Sequence, residues 1–367
     1  MNILRRLPLY RLLLLCGLVV VVGVSATALA LALGSGPKPP AKPLAQAVHD
    51  ALAAPQVEGV SASITLTNHL LEGASLASGS AQGGELASSP LLSGASGRLW
   101  IAKDGRARLE LQAEKGDTQV IYDGHTISLY DAASNTLYRY TPPASKQGET
   151  PVHHSGEVPT VAKIEEAISN LGRHATLSEA TPSDVAGQPA YTVRVSPKES
   201  GSLIGGAELS FDAANGAPLR AAIYSSTSSS PVIELAATKV SFGPVSDSVF
   251  AFTPPAGAKI EEVGGGAGGA EAHKQSSGSD TSKPKLTTHG HGLSAIAVLE
   301  SKTSGAGSKS GSSGPLEALP KVTINGASAS ELRTELGTLL TFERSGVRYL
   351  VAGSVSAGAI EALARGL

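Results

Sequence analysis

The sequence predicts an α+β fold in which a long antiparallel sheet with two amphipathic helices precedes a smaller C-terminal α+β domain. Three observations predict it. Apolar residues alternate with polar ones in run after run between residues 60 and 242, which is the signature of strands with one apolar face. Tight-turn residues separate consecutive runs, as in an antiparallel meander. Helical spacing is confined to a few short stretches, and a Gly/Ser-rich interval at 263–285 divides a larger region, 44–262, from a smaller one, 286–367.

Taken in order, Leu44, Val48, Ala51 and Leu52 recur at helical spacing and stop at Pro55. Val60, Ala62, Ile64 and Leu66 then alternate with Ser61, Ser63, Thr65 and Thr67. Leu99 and Ile101 begin the next strand, Lys103-Asp104-Gly105 supplies a hairpin turn, and Ala107, Leu109, Leu111 and Ala113 return. Asp123-Gly124 turns the chain ahead of Ile127 and Leu129, and a strand from Asn135 carries Leu137, Tyr138 and Tyr140. Ile164, Ala167, Ile168 and Leu171 predict a second helix with Thr160 as its N-cap. Strands follow at Tyr191, Val193, Val195, at Ala207, Leu209, Phe211, and, past Asn215-Gly216, at Leu219, Ala221, Ile223. Ile233 and Leu235, then Val240 and Phe242, close the series before Phe250-Ala251-Phe252-Thr253-Pro254-Pro255. In the smaller region, strands are expected near 294–299, at Val322–Ile324, and as a hairpin of Leu339–Phe342 and Tyr349–Val351. A last helix there has Ser356 as N-cap and a stripe of Ile360, Leu363, Ala364 and Leu367.

Composition bounds function. The 367 residues allow about two domains. A hydrophobic content of 41% supports a packed core, and an aromatic content of 4% means that Val, Ile, Leu and Ala must build it. A net charge of −2 excludes broad electrostatic binding to nucleic acid or an anionic surface. Cys16 is the one cysteine, so no internal disulfide forms.

The N-terminus gives an address. A basic head, 1–11, with Arg5, Arg6 and Arg11, precedes an uncharged run, 12–33, long enough to cross a ~30 Å hydrocarbon core. Positive charge before the run places the N-terminus inside and the remainder outside. The run exceeds the ~7–15 residues of a signal-peptide core, so it is read as a single-pass anchor in the cell membrane. Secretion after cleavage is the alternative, with small-x-small sites at Ala26-Thr27-Ala28, Ala28-Leu29-Ala30 and Ala30-Leu31-Ala32. Leu13-Leu14-Leu15 before Cys16 lack the small residue that lipidation needs, so Cys16 is apolar filler. The spacer 34–43 (GSGPKPPAKP) is expected to be stiff and to lift the next domain off the bilayer.

No catalytic pattern emerges. Gly264, Gly266 and Gly269 match G-x-G-x-x-G, but a polar run follows instead of an apolar helix, so the match is read as linker. His153-His154 and His289-Gly290-His291 lie in polar loops without the three or four ligands a zinc site needs. There is no nucleophile elbow, H-E-x-x-H or P-loop. Glu165-Glu166 and Glu261-Glu262, adjacent in sequence, point apart and read as solvated surface. The expectation is a non-enzyme with no cofactor, metal or nucleic-acid partner.

A resemblance narrows this. Val120-Ile121-Tyr122-Asp123-Gly124, the block Leu129-Tyr130-Asp131-Ala132-Ala133-Ser134-Asn135-Thr136-Leu137-Tyr138, and Tyr191-Thr192-Val193-Arg194-Val195-Ser196-Pro197-Lys198 carry it. So do Phe211-Asp212-Ala213-Ala214-Asn215-Gly216-Ala217-Pro218-Leu219-Arg220 and Val249-Phe250-Ala251-Phe252-Thr253-Pro254-Pro255-Ala256-Gly257-Ala258. Across residues 44–260 the chain resembles the LolA-like lipoprotein carrier superfamily, especially its actinobacterial members and the N-terminal domain of MucB/RseB envelope-stress regulators. The run Arg348-Tyr349-Leu350-Val351-Ala352-Gly353-Ser354-Val355 resembles the small second domain of the MucB/RseB type. The resemblance implies an incomplete antiparallel β-barrel, or half-barrel, whose apolar concave face lies under a helical lid and holds a lipid or lipoprotein acyl chain. The alternative partner it implies is a membrane-embedded anti-sigma factor. The residues expected to line such a cavity are Ile64, Leu66, Leu99, Ile101, Leu109, Leu111, Ile127, Leu129, Val193 and Val195 on the strands, with Ile164 and Ile168 on the lid.

Overall fold

A computed structural model describes residues 36–71, 90–113, 116–142, 158–263, 285–302 and 319–367. The basic head, the apolar run 12–33 with Cys16, the pair His153-His154 and the glycine motif at 264–269 lie outside the described residues. Among the described residues no helix is long and apolar enough to cross a membrane.

The first sheet is built from two meanders that share a seam. Strands β1 (Gly59–Asn68), β2 (Ala95–Ala102), β3 (Ala107–Ala113), β4 (Gly116–Tyr122), β5 (Ile127–Asp131) and β6 (Thr136–Tyr140) follow one another antiparallel. Strands β9 (Gln188–Pro197), β10 (Ile204–Asp212), β11 (Pro218–Ser225) and β12 (Pro231–Phe242) form the other meander. Pairing of β1 with β12 fuses them. The short β7 (Ala175–Leu177) and β8 (Thr181–Val185) both pair with β9, and β13 (Lys259–Glu262) adds to β6 as the one parallel pairing in this sheet. The result is a curved, open sheet of 13 strands.

Its register explains an oddity of sequence. Along β12 the apolar positions switch from odd (Ile233, Leu235) to even (Val240, Phe242), which would turn half the strand inside out. A β-bulge absorbs the switch: Ile64 pairs with Ala237 and Ser63 with Lys239, leaving Thr238 unpaired, its hydroxyl donating to the Ser63 carbonyl at 3.2 Å. Elsewhere a glycine admits close approach. Gly97 lies opposite Leu111, and a Cβ there would fall 1.9 Å from the Glu110 carbonyl oxygen.

Beyond β12 the chain crosses the opposite face of the first meander. The buried Phe250 lies under the Arg106 guanidinium at 4.9 Å, Arg108 Nη1 donates to the Val249 carbonyl at 2.8 Å, and the Phe252 ring sits 5.5 Å from that of Tyr130. This covering layer accounts for the burial of Ile121, Tyr130 and Leu137 on that side.

Helix α1 (Leu44–Ala53) follows the helical spacing seen in the sequence. It buries Leu44 and Ala47 against Tyr191 and Phe211. The four-residue α2 (Pro90–Ser93) sets Leu91 against the β1–β3 part of the sheet. Helix α3 (Val161–Leu171) starts where expected, with Thr160 Oγ1 accepting from the Lys163 amide at 3.4 Å.

A second sheet has six antiparallel strands: β14 (Lys285–His289), β15 (Ile296–Lys302), β16 (Lys321–Ile324), β17 (Ala327–Thr334), β18 (Gly337–Arg344) and β19 (Val347–Gly353). Two hairpins turn on residues in the left-handed region, Asn325-Gly326 (φ 48° and 83°) and Ser345-Gly346 (φ 53° and 73°), the geometry that follows the strands' own twist. Helix α4 (Ala357–Arg365) closes one face, with Ile360 and Ala364 packed on Val298, Leu340, Phe342 and Val351. Ser356 precedes it without making a side-chain cap bond.

Strands β4, β7, β8, β13, β14 and β17 lie where periodicity predicts none. Most are short or sit at edges, and β8 contains Pro182 and Asp184. On β17 the inward position beside Ala329 is a buried Glu331, which breaks the apolar rhythm. Such strands take their pairing from neighbours, not from their own composition. Lys285, placed in the linker by composition, is the first residue of β14 and pairs with Glu300.

Candidate ligand-binding cavity

Register places every strand residue expected to line a cavity on one face of the sheet. One row runs Leu66–Leu235–Ala221–Leu209–Val193, and the next Ile233–Ile223–Ala207–Val195–Leu177. On the other meander, rows run Ala62–Leu99–Leu109–Val120–Leu129 and Val60–Ile101–Ala107–Tyr122–Ile127. Ile64, Gly97 and Leu111 lie in the row between Leu99 and Leu66.

This face is covered unevenly. Over β1–β3, Ala62, Ile64 and Leu111 are buried, with Leu66, Leu99 and Leu109 packed against them beside Leu91. Over β9–β12, α1 packs on Tyr191 and Phe211 and, together with α3, roofs a cavity of about 870 Å³. That volume lies within the ~300–1,000 Å³ of small-molecule sites. Leu44 and Val48 of α1 line it, as do Ile164, Ala167, Ile168 and Leu171 of α3. Leu177, Val193, Val195, Ala207, Leu209, Phe211, Ala221, Ile223, Ile233 and Leu235 form its floor. Leu209 and Ile223 sit on interior strands, yet they remain 46% and 38% exposed. Leaving such side chains half in water forfeits on the order of 1 kcal/mol each, which an apolar occupant would restore.

Of the residues around the cavity, two carry charge, Lys163 and Glu208. Glu208 belongs to the alternate face by register, and its carboxylate is held there. It accepts from Arg194 Nη1 at 3.1 Å, Arg220 Nη1 at 2.8 Å and Tyr224 OH at 2.7 Å. Burial raises the Glu208 carboxyl, but the bonds from Arg220, Tyr224 and Arg194 outweigh it, so the group titrates below the usual carboxylate range. Arg220 reaches on to Glu234 at 2.5 Å, completing an ion-paired rib on the side of the sheet away from the cavity.

Of the residues expected to line a cavity, the structure brings Val193, Val195, Ile164 and Ile168 together around this one. Ile64, Leu66, Leu99, Leu109 and Leu111 lie in the packed region over β1–β3. Ile101 and Leu129 are half-buried and Ile127 is exposed, all outside the cavity. The α1 and β10–β12 residues are lining positions that sequence reasoning missed. A usable signal exists for the strands: α3 is joined to β7 by residues 172–174 alone, a tether that keeps the helix over the strands that follow it. The wall offers apolar contact and no paired nucleophile and base. Among the described residues, no cluster of His, Cys, Asp and Glu converges that could hold a metal ion.

No family model matches the chain, and no curated protein does. Among solved structures it is similar to MucB in complex with MucA(peri), at 14% identity and a TM-score of 0.40, over 88% of this chain and 97% of that one. It is similar to the MucA/MucB complex of Pseudomonas aeruginosa at 15% identity and a TM-score of 0.40, over 88% and 96% of the two chains. A LolA superfamily protein from Nitrosomonas europaea matches at 8% identity and a TM-score of 0.19, over 85% of this chain and 91% of that one.

Proposed function

We propose that this is a non-catalytic lipid-binding protein of LolA-like, half-barrel type, exported and tethered by its N-terminus, that holds an acyl chain in the cavity between α1, α3 and β9–β12. The observation that carries the reading is the cavity itself: about 870 Å³, walled almost wholly by aliphatic side chains, with Leu209 and Ile223 facing open space from interior strands. Each methylene buried there would contribute ~0.8 kcal/mol, so affinity comes from area, without a specific polar anchor. In this reading α1 and α3 form the lid, α3 the more movable of the two since it buries only Ile164. The second sheet, which begins at Lys285, is with α4 a separate domain that regulates or presents the first.

The test is native mass spectrometry with lipid extraction, on the wild type and on Leu209→Asp. Because Leu209 already meets solvent, a carboxylate there leaves the fold intact while placing a charge against any acyl chain. The expected result is a stoichiometric acylated species in the wild type and at least a ~100-fold weaker complex in the variant, the desolvation cost of a charge in an apolar wall being several kcal/mol. A ligand-free wild type with unchanged behaviour of the variant would sink the carrier reading and leave a protein-binding regulator as the better account.

A further inference from the structure

The Pro-rich segment before α1 does not stand free. Gly36 lies so close to β8 that a Cβ on it would come within 2.1 Å of Asp184 Oδ2. The Pro40 carbonyl accepts from the Tyr191 hydroxyl at 2.7 Å, and Lys42 forms a β-bridge with Ala180. Lys42 Nζ then pairs with Asp50 of α1 at 2.6 Å. Its anchors are rigid, since Ala180 and Tyr191 are buried. Residues 36–43 are therefore a strap laid along the edge of the first sheet. Only Gly34 and Ser35 separate the strap from the end of the apolar run at Leu33. From Leu33 to Gly36 the fully extended chain reaches about 10 Å. The strap also leads straight into the cavity. Leu44 follows it and lines the wall, and Tyr191 packs on the wall residue Phe211 with ring centroids 5.9 Å apart.

We infer that the strap seats the cavity-bearing sheet against the bilayer, and that the cavity takes its apolar ligand directly from the adjoining membrane leaflet. The inference rests on the proposed lipid-binding reading and adds the source of the ligand and the surface that meets it. A stiff spacer would have held the cavity away from the membrane. A docked strap that only two residues of sequence separate from the apolar run holds it within one headgroup layer.

The test uses the full chain in phosphatidylcholine/phosphatidylglycerol vesicles that carry a pyrene-labelled fatty acid. Loading is followed in the wild type, in a variant with thirty Gly/Ser residues inserted between Leu33 and Gly36, and in Tyr191→Phe, which loosens the strap. Slack lowers the effective concentration of leaflet at the cavity as roughly the −3/2 power of tether length, so the insertion should slow loading about tenfold or more. Tyr191→Phe should fall between the two. The same fatty acid delivered from cyclodextrin, without membrane, should load all three alike. Equal rates from the vesicle overturn the inference while the cavity reading stands. No loading from either source overturns both. An N-terminus already cleaved near Ala30 or Ala32 in protein recovered from its own cells also overturns the inference.

Discussion

Leu111 and Leu209 share residue type, strand setting and sheet face, yet Leu111 is 1% exposed and Leu209 46%. Alternation determines which face a side chain takes, because the strand repeat is two residues. Whether anything covers that face depends on residues far away in sequence, here Leu91 for Leu111 and an open cavity for Leu209. The parity of the candidate residues was therefore legible, and their membership of the cavity was not. On the opposite face, Glu208 illustrates how a residue's chemistry follows from its strand neighbours. Its carboxyl is held below its ordinary value by Arg220, Tyr224 and Arg194, against the effect of burial. The stabilisation this gives is complete above the unfolded-state value of ~4.3 and is lost as pH falls through that value and then through the depressed folded one. Urea unfolding of wild type and Glu208→Gln should show the wild type more stable at neutral pH, with the gap closing below about pH 4. A gap that stays constant with pH would mean that the carboxylate charge contributes nothing.

At the scale of elements, β12 shows how a contradiction in the pattern was itself information. Its apolar phase shifts between Leu235 and Val240, and one unpaired residue, Thr238, reconciles both halves with the same face of β1. Deleting Thr238 removes the bulge and forces a choice between the halves. Either Val240 and Phe242 or Ile233 and Leu235 then turn outward. The expected outcome is a loss of several kcal/mol in denaturant unfolding, the size of exposing two large apolar side chains. Replacing Thr238 by Ala keeps the count and should cost at most ~1 kcal/mol, the hydroxyl's bond to Ser63 being exposed. Equal effects of the two changes would rule out a register role. Helices α1, α3 and α4 were legible from spacing, and the start of α3 from its Thr160 cap, whereas the four-residue α2 was not. Edge strands such as β8 and β13 were not, because they hold their place by pairing with β9 and β6.

Among the described residues the molecule has two sheets whose buried clusters share no residue. Polar contacts join them. The Leu203 amide donates to the Ser354 carbonyl at 2.7 Å and the Ser202 hydroxyl to the same oxygen at 3.1 Å. The Glu335 amide donates to the Leu70 carbonyl at 3.3 Å. Glu199 accepts from the Leu293 amide at 3.2 Å and from the Ser294 hydroxyl. Contacts of this kind hold an arrangement without merging two cores, so scanning calorimetry of the full chain should resolve two transitions. One transition whose calorimetric and van't Hoff enthalpies agree would instead make the chain a single cooperative unit.

The amino-acid sequence by itself determined the class of fold, the position of most strands and helices, the common face of the apolar residues and the absence of any familiar catalytic spacing. Each of these follows from local periodicity, turn chemistry or composition, which a chain carries wherever it folds. Only the tertiary structure decided that β1 closes on β12, that α1 and α3 stand over β9–β12 while α2 covers the β1–β3 part, and that residues 36–43 lie docked on Tyr191 and Ala180. Those outcomes depend on which distant surfaces meet. An apolar stripe states that it must be covered but does not name its cover.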